Sequence, residues 1–381
     1  MIYLDNASTS WPKPPQVGEK MQEIMTSHGG NPGRGRHTAS LENAHLVYRV
    51  REKIAAFFKL SDPLRIIFTL NATHAINQAL FGLLKPGDHV ITTSIEHNAV
   101  SSPLHALSKQ GIELTILPIG FDQPFPFQLY KEAFRENTRL VVTLHASNVT
   151  GMVLPIQKIG AIAHEYRVPY LVDASQTAGI LPIDLNTLPI DILALPGHKG
   201  LLGPTGTGVL ILPGLLKLSP LIYGGTGSLS ESLEQPDFLP DALESGTLNT
   251  VGIAGLGAAI DYLNEVGAEH IYEQERQLCT YLAEGLKTID GLILYSQWKN
   301  QDHAPIVSFN LEGQDSTLVS HTLEQISGII ARAGLHCAPN AHSSLGTIEQ
   351  GTVRFSPSHF TTKEEIEKTV ETVSLIAKEM L

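Results

Sequence analysis

The sequence predicts an α/β protein: a large domain on a mainly parallel seven-stranded sheet flanked by helices, then a smaller C-terminal α+β domain. Three observations predict it. From about residue 64 short β-rich runs alternate with longer helical patterns, those runs are apolar almost throughout, and the rhythm changes near residue 255. At 381 residues the chain is long enough for more than one domain with its own core.

In chain order, residues 1–15 read as an N-terminal arm. Its "WPKPP", and "HGGNPGRGRH" further on, have loop chemistry. Residues 16–255 form the expected large domain. Its strand candidates are "RIIFTL", "DHVITTS", "IELTILPI", "RLVVTLHAS", "YLVDAS", "DILALP" and "GVLILP". Between them "THAINQALFGLL" and "IQKIGAIAHEYR" space their apolar residues as helices do. Crossover helices bury both faces of a parallel sheet, which explains strands without polar alternation. Residues 256–381 form the expected small domain: the helix "QERQLCTYLAEGLKTI", the strands "LILYS" and "APIVSFNL", a second helix, the strand "GTVRFSP" and a terminal helix.

Composition narrows the function classes. With 26 Lys plus Arg against 38 Asp plus Glu, the net charge of -12 disfavours nucleic acid and anionic membranes as partners. The opening "MIYLDNAS" lacks the basic and apolar regions of a signal peptide, and no apolar run nears the roughly 20 residues that cross a bilayer. Two cysteines are no disulfide framework; a reducing cytoplasm is the expected compartment. The 16 histidines are scattered without zinc-ligand spacing, so no metal is assigned.

In open α/β sheets ligands bind outside the carboxyl ends of the strands. The polar residues fall there: Thr73 and His74 after "RIIFTL", His145 to Asn148 after "RLVVTL", Asp173 and Gln176 after "YLV", and Lys199 after "DILALP". Any one of them is more often a cap or a turn residue; their coincidence is the pattern of an active site. Lys199 lies in "ALPGHKGLLGPTGTG", where Gly197 and Gly200 would let a bulky group approach the backbone. A phosphate-binding P-loop needs its glycines before the lysine, and here most follow it. What remains is a lysine whose amine condenses with a carbonyl cofactor. Pyridoxal 5'-phosphate makes two further demands. Its ring nitrogen needs a carboxylate, for which Asp173 is the candidate, and its phosphate needs a helix N-terminus, which "NATHAINQAL" offers with Thr73 in the first turn. A helix cap explains Thr73 equally well.

The segments "YLDNASTS", "NATHAIN", "SIEHNAV", "SNVTGMVLPI", "VDASQTAG", "PGHKGLLGPTGTGVL", "ESGTLNT" and "RAGLHCAPNAH...GTVRFSPSHFTT" resemble, in order and over nearly the whole chain, the class V aminotransferase-like pyridoxal phosphate enzymes, on the cysteine desulfurase branch. The resemblance implies fold type I and a role for each matching residue. Lys199 would carry the cofactor, Asp173 would pair with its ring nitrogen, and Gln176 and Asn148 would bond its phenolic oxygen. His97 would stack on the ring and shuttle protons; Ala72, Thr73 and His198 would hold the phosphate. Thr247 would reach the phosphate in a partner subunit, which requires a homodimer. Cys337 would take sulfur from L-cysteine as a persulfide and pass it to an acceptor thiol or protein. Arg354, with Arg332 as a weaker candidate and Asn148 beside them, would bind the substrate carboxylate. A planar guanidinium suits that task better than an ammonium.

Cys279 reads instead as a core residue, on one helix face with Leu278, Leu282 and Leu286. Three departures stand out. Pro196 replaces a hydroxyl residue usual before the phosphate site, His74 replaces an acid, and "APNAHSSLGTIEQGTV" after Cys337 has its own sequence. Rival expectations are a selenocysteine lyase acting on L-selenocysteine, another class V enzyme in which Cys337 is incidental, and a cofactor-binding protein without turnover.

Overall fold

The alternation that starts at residue 64 folds into the expected sheet. The computed structural model describes residues 1–27, 29–32, 37–121, 123–229, 231–296 and 303–380, so part of the expected "HGGNPGRGRH" loop lies outside the described residues. In chain order the first half contains β1 (Ile2–Tyr3), α1 (Pro15–Ser27), α2 (Thr38–Phe57), β2 (Ile66–Thr69), α3 (Ala72–Leu83), β3 (His89–Thr93), α4 (Asn98–Ser108), β4 (Glu113–Leu117), α5 (Phe127–Glu132), β5 (Thr138–Leu144), α6 (Ile156–Glu165), β6 (Tyr170–Asp173), β7 (Ile192–Pro196) and β8 (Gly208–Ile211). There follow α7 (Thr250–Val266), α8 (Ala268–Leu286), β9 (Leu292–Leu294), β10 (Val307–Leu311), α9 (Ser316–Ser327), β11 (Ile329–Ile330), β12 (Arg332–Gly334), α10 (Pro339–Leu345), β13 (Thr352–Phe355) and α11 (Lys363–Met380).

The large sheet has the order β2-β8-β7-β6-β5-β3-β4, and only β8 runs against its neighbours. The other six strands therefore end on one edge. Successive residues of each strand enter opposite cores. Val141, Val172 and Leu193 join α2, α6 and α7 on one face, whereas Leu140, Leu171 and Ile192 meet α3 and α4 on the other. Two apolar faces on every central strand are what the unbroken apolar runs encode.

The small domain packs α8, α9 and α11 on the antiparallel sheet β12-β13-β10-β9. Cys279 is buried there with Leu282 and Leu286, as its helical spacing predicts, and burial holds its thiol well above the ordinary value. The N-terminal arm crosses between the two bodies: β1 pairs in parallel with β11, and Asp5 bridges Ser356 just after β13. The expected boundary near residue 255 falls inside α7, an unbroken helix packed on α1 and α2. Among the described residues no helix is long and apolar enough to cross a membrane.

Candidate active site

Four strand ends deliver the polar residues. β5 ends at Leu144 and hands on to His145 through Asn148, β6 ends on Asp173, β7 ends at Pro196 just before His198 and Lys199, and β2 leads into the start of α3. Between them lies a cavity of about 220 Å³ that collects Ala72, Thr73, His97, Asn148, Asp173, Gln176, His198 and Lys199. Eight sequence-predicted residues thus meet in one place.

The seat at α3 is open. Asn71, extended at φ -173°, caps the helix by accepting the His74 amide at 2.8 Å. Thr73 is therefore not the cap. The amides of Ala72 and Thr73 have no acceptor among the described residues, and they face the cavity with the positive end of the helix behind them. Pro196 lines the same cavity without giving it a donor.

Lys199 sits opposite. Burial pushes its amine down to about 8, against the pull of Asp173. The glycines around it do a different job from the one expected. A Cβ on Gly197 would meet Thr207 Oγ1 at 2.1 Å, and one on Gly200 would meet the Ala178 carbonyl at 2.6 Å. The Thr207 side chain and the Ala178 backbone already fill that space, so these glycines pack the lysine loop rather than admit a ligand. The N-terminal arm fixes the loop from outside: the His198 carbonyl accepts from the Ser10 amide at 3.0 Å and from Lys13 Nζ at 2.8 Å.

Asp173 is 3% exposed, and its Oδ1 accepts from Ser175 N at 2.9 Å and Ser175 Oγ at 2.5 Å. Its Oδ2 has no donor among the described residues. His97 caps α4, its Nδ1 accepting from the Ala99 amide at 3.0 Å. Nδ1 is thus unprotonated, and the neutral ring carries its proton on Nε2. Burial lowers its pKa, with Asp173 opposing and Lys199 and Arg354 assisting. Its neighbour Glu96, which sequence reasoning passed over, is wholly buried between Thr93 Oγ1 and the Leu144 amide; burial raises its pKa to about 8.

The remaining candidates join through Asn148. Arg354, 3% exposed on β13, donates from Nη1 to the Asn148 carbonyl at 2.8 Å, and Asn148 Nδ2 donates to the His336 carbonyl at 2.7 Å. The adjacent Cys337 carbonyl accepts the Asn98 amide at 2.7 Å, beside His97. Cys337 is exposed, and it and His336 both take left-handed backbone angles, φ +56° and +49°. Side chains rarely adopt that region, so the surrounding bonds hold the turn in place. α10 begins two residues later, a helix not expected in a stretch read as having its own sequence.

Three residues stand apart or were missed. Arg332 is exposed on β12, paired in register with Arg354. Thr247 lies outside the Lys199 cavity, on the far side of the α3 start beside Glu244 and His74, where it accepts from Asn31 Nδ2 at 3.1 Å. Asp5, by contrast, was absent from the candidates yet forms a buried ion pair with Arg354 at 3.0 Å. Its only sequence signal was its place in "YLDNASTS".

A family model described as aminotransferase class-V matches residues 2–369. The chain belongs to this class-V family. A Methanothermobacter thermautotrophicus relative named "Probable cysteine desulfurase" is 37% identical over 99% of this chain and 94% of its own length. A Haloferax volcanii cysteine desulfurase is 30% identical over 98% of this chain and 88% of its own. Among solved structures, the cysteine desulfurase of Thermococcus onnurineus NA1 superposes with a TM-score of 0.92 at 30% identity, covering 100% of this chain and 95% of that one. The class-V enzyme therefore shares its overall fold with that solved structure.

Several atoms of the cavity fit the pyridoxal phosphate expected of this class. Among the described residues Asn148 Oδ1 and His198 Nδ1 are buried without partners, and Asp173 Oδ2 and the first amides of α3 have none. Gln176 Nε2 gives one bond to the Ala7 carbonyl at 3.1 Å and keeps a second proton for a ligand.

Proposed function

We propose that this enzyme is a pyridoxal phosphate-dependent cysteine desulfurase, converting L-cysteine to L-alanine with the sulfur held as a persulfide on Cys337. The observation that carries the reading is an exposed thiol on a turn bonded beside the lysine cavity: His336 to Asn148 of its lining, and Cys337 to Asn98, next to His97. The relatives' names support it.

Lys199 holds the cofactor, with Asp173 at the ring nitrogen, Gln176 and Asn148 at the phenolic oxygen, and His198, Thr73 and Ala72 at the phosphate. When bound, the cofactor supplies an electron sink for the substrate's α-carbon. The chain does the rest. Arg354 takes the substrate carboxylate as a planar donor pair. Lys199, with an amine at about 8 rather than 10.5, is neutral often enough near physiological pH to take the α-proton. Asp173 favours the charge it gains, and Arg354 opposes it. The Cys337 thiolate attacks the substrate sulfur: an S–S bond forms, the substrate Cβ–S bond breaks, and its electrons return to the carbon skeleton that leaves as alanine. Lys199, holding the α-proton it took, can return a proton to the departing fragment, and His97 Nε2–H can hydrogen-bond that fragment. A thiol, free or on a protein, then accepts the sulfur. A second copy of the chain would bring its Thr247 to the phosphate, so a homodimer belongs to the proposal. Two free thiols suit a reducing cytoplasm.

The test is direct. Purified protein with the cofactor develops the visible band of a lysine-bound aldehyde, and L-cysteine with a thiol acceptor yields alanine and sulfide in equal amounts. Cys337→Ala abolishes sulfur release and keeps the band. If Cys337→Ala still releases selenium from L-selenocysteine at the wild-type rate while wild type barely uses cysteine, the lyase replaces the desulfurase. A chain that stays colourless with added cofactor sinks both.

A further inference from the structure

The substrate end of the site is already occupied by the protein itself. Arg354 is wholly enclosed, and its Nη2 donates to Asp5 Oδ1 at 3.0 Å and to Ser8 Oγ at 2.8 Å. Ser8 Oγ in turn donates to Asp5 Oδ1 at 2.7 Å, closing a three-membered ring of bonds. Nη1 gives a proton to the Asn148 carbonyl, and Nε is buried with no acceptor among the described residues.

A carboxylate grips a guanidinium at two points in one of two ways: along the edge shared by Nε and Nη2, or across the end shared by Nη1 and Nη2. Both include Nη2. Since Nη2 already faces two oxygens, an incoming carboxylate must compete with Asp5 and Ser8 for it. The unpartnered Nε–H marks the Nε–Nη2 edge as the one that still lacks an oxygen, and a buried unpaired donor is costly enough to favour its capture.

Resting on the assignment of Arg354 to the substrate carboxylate, we propose that the Asp5–Ser8 pair of the N-terminal arm is a built-in stand-in for that carboxylate, displaced from Arg354 Nη2 when substrate binds, and so sets substrate affinity. The backbone is arranged for a swap of the side chain alone. The Asp5 carbonyl is held by the amides of Ser8 and Thr9 at 3.1 and 3.4 Å, and Asp5 bridges Ser356, so its main chain stays put while its carboxylate rotates away. The arrangement also keeps the buried guanidinium neutralised in the free enzyme, where a bare buried charge would be costly. The chain thus trades substrate affinity for a paired resting state, and Asp5 sets the exchange.

The experiment uses the cofactor-loaded enzyme and two readouts: steady-state kinetics with L-cysteine, and calorimetric affinity for L-serine, which carries the same carboxylate without the sulfur. Asp5→Asn keeps the shape and the Ser8 bond but removes the competing charge. It is expected to tighten L-serine three- to tenfold and lower KM for L-cysteine by the same factor, with kcat within twofold of wild type. Ser8→Ala removes the second oxygen at Nη2 and moves both values the same way, which covers the case of an Asp5 variant that fails to fold. Weaker or unchanged L-serine binding in both variants, with Arg354→Leu losing it, overturns the displacement and makes Asp5 a residue that merely aims Arg354. Unchanged binding in Arg354→Leu overturns the carboxylate assignment beneath it.

Discussion

At the scale of single residues, the lysine that the sequence singled out owes its chemistry to burial rather than to the glycines beside it. Enclosure takes its amine down to about 8, and Asp173 opposes the shift. The apo chain should capture pyridoxal phosphate through the neutral amine, whose fraction rises about tenfold between pH 7 and 9 and levels off above about 8. An ordinary lysine would keep gaining tenfold per pH unit throughout that range. Following the growth of the visible band against pH reads the difference. Asp173→Asn, which removes the nearby anion, should move the midpoint lower; a midpoint that stays near 10 would refute the account. Lys199 and Asp173 were legible because each follows an apolar strand, and strand ends carry chemistry in such sheets. Asp5 was not. It reaches Arg354 across 349 positions of sequence, and no local spacing reports a contact made only when the arm lies down on the small domain.

At the scale of elements, the strands and main helices were legible because burial on two faces leaves a continuous apolar run, and burial on one leaves a helical stripe. The short pieces were not. β12 is three residues and α10 seven, too few to build a periodicity, and both flank Cys337. Gly208 shows how one element places another. It opens β8 opposite Pro196 and Thr69, and a Cβ there would meet the backbone carbonyl carbon of Asn71 at 2.5 Å and its Cα at 2.6 Å. Backbone cannot swing aside as a side chain can. Gly208→Ala should therefore push the start of α3 away from the cavity, cost about 1–3 kcal/mol of stability as overpacking does, and weaken cofactor binding about tenfold. Denaturant midpoints and a cofactor titration measure the two effects. Stability lost with cofactor affinity intact would detach the α3 terminus from phosphate binding.

At the scale of the whole molecule, joining two bodies around a polar site has buried an unusual set of titratable groups, and they oppose one another. His145, His198, His303, His342 and His359 are each lowered to about 4 by burial, whereas Glu96 and Glu275 are raised to about 8 by the same cause. Between about pH 4 and 6.5 the unfolded chain protonates these histidines and the native one does not, so stability rises with pH. From about 4.5 to 8 the native chain keeps protons on Glu96 and Glu275 that the unfolded chain has lost, so their contribution falls with pH. Five histidines outweigh two carboxyls below 6.5; above it only the carboxyls still change. The apo enzyme should thus be most stable near pH 6.5 and lose stability towards pH 8, before Lys13 and Lys199, both lowered to about 8, begin to reverse the slope. Glu275 offers the sharper check, because among the described residues its Oε1 accepts only the His359 amide and its Oε2 has no partner. Glu275→Gln removes its ionisation without changing its shape, so the variant's melting temperature should exceed wild type at pH 8.5 and match it near pH 5. Equal melting temperatures at both values would mean that Glu275 is ionised in the native state, and that the seam between α8 and the segment after β13 admits enough water to solvate it.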